Sequence, residues 1–547
     1  MNEFHFEDFQ YENLPLPDDV EQAKQAGFFD DAQKLIDIWM SKPGTSRAMV
    51  QRLRLEKSIL DVLPDSYPYD HEGALRRVHE VMPEVTEENF DKLVDLGRVD
   101  WIYVNGAKHY IGSVGGTLEN ELEEGRITKD GTWLGTENAR KIEEEYADGT
   151  RNLSESVNGQ PMNRCRLSVC DMQKNGSDSW RFTVRVTMKI ADSAFRPGKV
   201  KVYLPFVCAC DYVTDIELLG AKAGGKEARP VDQKEIRTIL GGSGQSAAEA
   251  KKDLSDGPVY YLAPEDAKQR TILFVEDIKE NHPFEVTFAY TATAVYHDLW
   301  SAEAVEKNRA AMEAASKGQN AKCLQQVPGT ILPPPTEEDV SEHLPEAVFS
   351  PFMKALAAEI TEGYSTPLEK ARAVYDYITK NVLYAYVRSY IGIESPGEYC
   401  AKNLKGDCGL QALMFITLCR ITGIPARWQS GNNTRGDNAG AHDWAYFYIE
   451  PFGWLGCDPS YGGGAYGMGD EIKRRHYFGN LDPFRLPSNS AFERNFDPPM
   501  TYVRQDPTDN QSGEAEYAAE DGREGRSLGE EETITSRVIV TAEHRMA

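Results

Sequence analysis

The sequence predicts a multidomain α+β protein. Three observations lead there. Several runs between residues 180 and 290 alternate apolar and polar side chains, as half-buried strands do. Leu368, Ala371, Val374, Tyr375, Ile378 and Val382 recur at helical spacing. The 547 residues exceed one ordinary core, and at roughly 150 residues per domain they point to about three or four domains.

Residues 1–125 read as a helical module, with apolar positions at helical spacing over Val20–Met40 and Val81–Leu96. Trp101–Val104, then Asn105-Gly106, then His109–Ile111 read as two short strands around a turn. Helices followed by a hairpin suggest a winged-helix-like shape. Residues 126–160 are polar and charged, a linker. Residues 161–300 read as a β-sandwich, with Trp180–Met188, Lys199–Pro205, Tyr260–Leu262, Thr271–Val275 and Phe284–Tyr290 as strands. Gly241–Ser246 lacks the Gly-Lys-Ser/Thr ending of a phosphate loop and reads as a surface loop. Residues 301–344 are a polar helix and a Pro-rich linker. A third globular unit spans 345–490. The segment 491–547 turns acidic and poor in aromatics, with Glu530–Glu532 in a run, and a largely disordered tail is expected.

The net charge of −27 repels phosphate backbones and anionic lipid, so neither nucleic acid nor membrane is an expected partner. Met1–Asp8 has no basic and apolar leader pattern, and no run of about 18 apolar residues occurs, so a cytoplasmic protein is expected. Nine scattered cysteines fit reduced thiols better than a disulfide framework. Cys208–Cys210 and Cys165–Cys170 lack zinc-site spacing and read as strand core, so no metal and no cofactor are expected.

The residues with chemistry lie between 366 and 461. Thr366-Pro-Leu-Glu369 is a capping box with proline at the first helical position, which opens a scaffold helix. Gly406-Asp407 breaks the chain before a second apolar helix, which Gly423 and Pro425 end. Cys408 therefore sits at a helix N-terminus, where the macrodipole and unpaired N–H groups favour a thiolate and donate to an oxyanion. His442 begins an aromatic strand, Ala441–Ile449, and Asp458 ends a second, Trp454–Asp458. Antiparallel pairing of the two brings Asp458 beside His442. An imidazole oriented by a carboxylate, facing a helix-tip thiol, is the generalised triad.

These pieces, Gly406-Asp-Cys408, Gly423-Ile-Pro-Ala-Arg427, His442-Asp-Trp444 and Trp454 followed by Asp458-Pro459, resemble the transglutaminase-like superfamily of papain-like fold, in its bacterial form. The resemblance implies a papain-like transglutaminase core preceded by the β-sandwich. It also implies a thioester on Cys408, with His442 as base and acid and Asp458 as its orienter. The substrate is then a protein or peptide, with amine or water as acceptor. A cytoplasmic setting favours hydrolysis, as in a protease, amidase or deamidase. A crosslinking transglutaminase and a catalytically silent binding protein are the alternatives.

Other residues carry two readings each. Tyr384 and Tyr386 lie where relatives place an oxyanion-supporting aromatic, or they pack a strand. Trp444 and Trp454 are cleft walls or core. Gly462, Gly463 and Gly464 form a mobile lid over the cleft, or a plain flexible loop. Cys419, three turns and about 16 Å along the axis from Cys408, belongs to the core. Cys400 and Cys457 read as structural. Tyr477–Pro483 and Asp506–Gln511 look motif-like without a mechanism.

Overall fold

A computed structural model describes residues 11, 14–123, 125–135, 156–157, 160–161, 164–240, 257–318, 333–492, 495–502, 504, 507–519, 525–529 and 533–545. The loop 241–246 and most of the segment expected as a linker lie outside them.

Five helices between Asp18 and Asp95 pack around Val20, Ile36, Leu53, Val78 and Phe90. They are followed by a hairpin, Trp101–Val104 against Ala107–Tyr110, and a further helix, Val114–Glu123. Asn105 (φ 50°) and Gly106 (φ 78°) make the turn with both residues left-handed, the conformation that suits the twist of a two-residue hairpin. This module is tied to the rest of the chain by Lys405, whose Nζ donates to Gly97 O at 2.7 Å, and by Arg388, which donates to Tyr67 Oη at 3.2 Å.

Two sheets form the sandwich. One runs Arg526–Leu528, Glu514–Tyr517, Gly198–Pro205, Thr271–Ile278, Val259–Leu262, Arg229–Pro230. The other runs Ile534–Arg545, Ser177–Ile190, Phe284–Val295, Val213–Ala223, Lys226–Glu227. Their facing side chains, among them Phe182, Val184, Val202, Phe274, Val286 and Phe288, make one core.

The described residues of the C-terminal segment are thus largely strand rather than the disordered tail expected, while Glu520, Asp521 and Glu530–Glu532 lie outside them. Glu514–Tyr517, Arg526–Leu528 and Ile534–Arg545 are strands of this sandwich, and the last pairs with Ser177–Ile190 along its whole length. Glu514 and Glu516 are internal partners. Arg504 Nε donates to Glu514 Oε1 at 2.6 Å, and Lys201 pairs with Glu516, all of them buried. A second correction concerns the cysteines. Cys165 and Cys170 lie on a helix, Arg164–Asn175, and Cys208 and Cys210 follow a strand rather than lying within it.

The third unit has a five-stranded antiparallel sheet in the order Phe478–Gly479, Gly453–Cys457, Gly440–Ile449, Ala426–Asn433, Arg485–Asn489. Helix Cys408–Ile421 lies against one face, with Phe415 edge-on to Phe447 at 5.5 Å. The other face joins the sandwich core through Trp444, Tyr446 and Leu486. Both faces are covered, which explains why Ala441–Ile449 is apolar or aromatic at nearly every position.

Residues 462–464 do not form a lid. They lie in helix Pro459–Gly467, packed on helix Pro367–Asn381. A Cβ on Gly462 would stand 1.9 Å from Tyr375 Oη, and Tyr375 is itself buried and bonded to Arg474 O. A Cβ on Gly464 would meet nothing within 4 Å. Gly462→Ala should therefore lower the unfolding free energy by about 1–3 kcal/mol through overpacking. Gly464→Ala should raise it by roughly 0.5–1 kcal/mol. Urea denaturation of both checks this, and equal, negligible effects would mean that the segment is not helical in solution.

Candidate active site

Asp407 caps helix Cys408–Ile421: its Oδ1 accepts from Leu410 N at 3.0 Å and from Tyr390 Oη at 2.6 Å. This fixes Cys408 in the first turn, buried. Gly409 is required beside it, because a Cβ there would stand 2.0 Å from Tyr390 Oη. Burial holds the Asp407 carboxyl up at about 6, against the pull of Tyr390 and the backbone N–H groups of Leu410 and Gly409.

His442 and Asp458 meet as the strand pairing requires. Strands Gly440–Ile449 and Gly453–Cys457 are antiparallel, with Ala445 opposite Cys457. The His442 Nε2–H donates to Asp458 Oδ2 at 2.7 Å, both residues being buried. Asp458 uses its other oxygen as a helix cap, accepting from Tyr461 N at 2.9 Å. Arg485 Nη2 also donates to Asp458 Oδ2, at 2.7 Å, and to Asp482 Oδ2 at 3.1 Å. Tyr461, in the first turn of the capped helix, stacks on the imidazole at 4.0 Å.

Burial alone would raise the Asp458 carboxyl, but His442 and Arg485 outweigh it and hold the group ionised. Burial lowers the His442 imidazole despite Asp458, so the ring is neutral at rest. An ionised carboxylate accepts and cannot donate. Nε2 therefore carries the ring proton, and Nδ1 keeps the lone pair of a base.

Cys408 behaves differently from the expectation for a helix tip. Its Sγ donates to Asp443 Oδ2 at 3.4 Å, and no hydrogen bond joins it to His442 among the described residues. Side chains alternate along a strand. Trp444 and Tyr446 belong to the sandwich core, while Ala445 and Phe447 belong to the core on the helix face, so Asp443 shares the helix face with Cys408. Burial, then the carboxylates of Asp443 and Asp407, push the thiol well above its ordinary range, overriding the helix dipole. The resting group is a thiol, not the thiolate expected from position alone.

The remaining expected residues separate. Tyr384 is electrostatically coupled to Cys408 and Asp407, and burial keeps its phenol neutral, a donor. Tyr386 is 42% exposed, edge-on to Tyr384 at 5.6 Å and against Gly116. Trp444 lies behind the imidazole at 5.9 Å, its Nε1–H bonded to Gln429 Oε1 at 2.8 Å. Trp454 is not at the cleft: it packs on Tyr448, lies under the Arg427 guanidinium and donates to Pro333 O at 2.9 Å. Cys400, Cys419 and Cys457 are buried. Four contributors were missed: Tyr390, Asp443, Arg485 and Gln511, whose Nε2 donates to Asp443 Oδ1 at 2.6 Å. Asp443 was not legible: with His442 expected to face the thiol, strand alternation turns Asp443 away from it, whereas the structure has Asp443 on the thiol's side. Gln511 ends the motif-like stretch Asp506–Gln511, but it lies 68 residues beyond Asp443 and the sequence named no partner for it.

Residues 354–459 match the model of the transglutaminase-like superfamily, and this part of the chain is a transglutaminase-like core. The uncharacterized protein YebA of Bacillus subtilis strain 168 is 27% identical over 140 residues, covering 22% of this chain and 18% of that protein. The chain thus matches under a fifth of that relative's length. Among solved structures, a candidate cysteine protease from Cytophaga hutchinsonii aligns with 68% of this chain and 92% of its own, at 11% identity and a TM-score of 0.35. The periplasmic domain of TgpA from Pseudomonas aeruginosa aligns with 56% of this chain and 95% of its own, at 12% identity and a TM-score of 0.22. No helix among the described residues is long and apolar enough to cross a membrane.

The position of Asp443 yields a test. It is a buried anion beside a thiol, so it disfavours the thiolate. Asp443→Asn should shift iodoacetamide labelling of Cys408 to lower pH, read peptide by peptide. Wild-type Cys408 should label at higher pH than a free cysteine, whose pKa is about 8.5. Wild-type labelling below that point, or no shift in the variant, would contradict the contact.

Proposed function

We propose that the transglutaminase-like core at 354–459 performs cysteine-dependent acyl transfer on a peptide or glutamine amide, with water as the favoured acceptor. The observation that carries the reading is the buried His442–Asp458 pair at 2.7 Å, on a strand packed by the helix whose first residue is Cys408.

Cys408 is the nucleophile. His442 is neutral at rest with Nδ1 unprotonated, the state of a base awaiting a proton. Substrate binding draws the thiol away from Asp443, and Nδ1 takes its proton as the sulfur attacks the amide carbon. The imidazolium formed is stabilised by Asp458, then protonates the leaving amine. Water hydrolyses the thioester. The N-terminal N–H groups of helix Cys408–Ile421 and the neutral phenol of Tyr384 are the oxyanion donors in this reading. No metal or organic cofactor is assigned a step. Protein or peptide substrates and a cytoplasmic setting complete the assignment.

One observation favours a second reading, a binding protein that keeps the fold without turnover: the Cys408 thiol is bonded to Asp443 and held protonated. Ammonia release from a glutamine peptide separates the two. Cys408→Ala should reduce it to background, a loss of at least about 10³-fold. Cys419→Ala should stay within about twofold of wild type. Labelled amine incorporated into casein in place of ammonia release to water would instead favour the crosslinking alternative. No ammonia release, no amine incorporation and no peptide-bond cleavage by wild type would sink the enzyme reading.

A further inference from the structure

The C-terminal segment enters the nucleophile's pocket. Residues 507–513 are pinned from both sides by buried polar groups. Asn489 Nδ2 donates to Thr508 O at 2.6 Å, Gln269 Nε2 to Pro507 O at 3.2 Å, and Asn510 Nδ2 to Arg270 O at 2.9 Å. Beyond it, Glu514–Tyr517 is paired in the sandwich, register Glu514 to Tyr203. Gly513 makes the approach with φ at 82°, where a Cβ would stand 2.4 Å from Tyr203 O. A held segment therefore presents Gln511, half-buried, to the site.

Gln511 Nε2 donates to Asp443 Oδ1 at 2.6 Å, and Cys408 Sγ donates to Oδ2 of the same carboxylate at 3.4 Å. A primary carboxamide, the acyl-donor group of the proposed reaction, thus stands one carboxylate away from the thiol. The gripped end is the NH₂, the group that must leave.

We propose that Gln511 is an acyl donor in cis, a modification site at which Cys408 acts on the chain's own C-terminal segment. The inference rests on the thiol chemistry proposed above. The Cys408 proton passes to His442 and the sulfur bonds to Cδ of Gln511. The Cδ–N bond breaks, and the nitrogen takes the proton from His442 and departs as ammonia. The product is a thioester joining residues 408 and 511. Water then adds to Cδ, the C–S bond breaks, the thiol regains its proton, and residue 511 becomes glutamate; a primary amine in place of water leaves an N-substituted glutamine. A carboxylate at 511 faces Asp443 with like charge, so the bond that holds the side chain in the pocket is lost after one turnover. Gln511 is then a single-use occupant whose removal exposes Cys408.

Peptide mass mapping of the full chain tests this in wild type, Cys408→Ala, Cys408→Ser and Cys419→Ala, with and without methylamine. Ammonia release from a glutamine peptide is followed in the same samples. Wild type and Cys419→Ala should carry glutamate at 511, or the methylamide when methylamine is present, and both Cys408 variants should keep Gln511. Intact Gln511 in a wild type that acts on the added peptide overturns this inference and leaves the proposed function standing. Intact Gln511 with no action on the peptide overturns both. Equal conversion in the Cys408 variants means spontaneous deamidation, and the inference fails.

Discussion

The buried guanidinium of Arg485 sets the geometry from which the rest of the site follows. It bonds Asp458 and Asp482 together, with Nη2 at 2.7 and 3.1 Å from one oxygen of each. Two carboxylates in a dry interior would otherwise repel and take up protons. With the cation between them, Asp458 stays ionised and fixes the His442 tautomer through Oδ2, while Oδ1 caps the next helix. That helix places Tyr461 on the imidazole. One charged group, on the edge strand of the core sheet, thus orders His442, Asp458 and the element behind them.

The same strand, Arg485–Asn489, is where the two larger units fuse. Cys208 N donates to Pro487 O at 2.7 Å and Arg270 N to Ser488 O at 2.9 Å, so the sandwich continues the core sheet's hydrogen bonding. The sandwich is consequently part of the site's support. Its last strands come from the C-terminus, and the connection leading to them passes Cys408. The chain end closes the sandwich and lines the pocket in one stroke.

Much of this was legible. The capping box at Thr366 and the break at Gly406-Asp407 have local causes, and both helices begin where those residues dictate. The strand pairing that joins His442 to Asp458 follows from the turn at Pro451–Gly453. What local pattern missed is what distant partners decide. Glu514 and Glu516 read as solvated charge, yet Arg504 and Lys201 bury them. Ile534, Val538 and Val540 lie on one buried face of the last strand, a pattern that the composition of the segment does not show. Gly462–Gly464 read as a lid or a flexible loop because glycine permits hinge motion, but the Asp458 cap starts a helix there, and the tight approach to Tyr375 requires glycine at 462. Helix-tip position favoured a thiolate; Asp443, one residue from the expected base, reverses that at rest. At rest Cys408 is a thiol bonded to Asp443 rather than a thiolate paired with His442.

The central claim is that Cys408 forms a thioester under the control of His442. Acid-quenched mass spectrometry of the enzyme mixed with a glutamine peptide tests it most directly. The account predicts an acyl adduct on the Cys408 peptide within the first turnover, absent in His442→Ala. No adduct, an adduct on another cysteine, or an adduct that forms equally fast without His442 would contradict it.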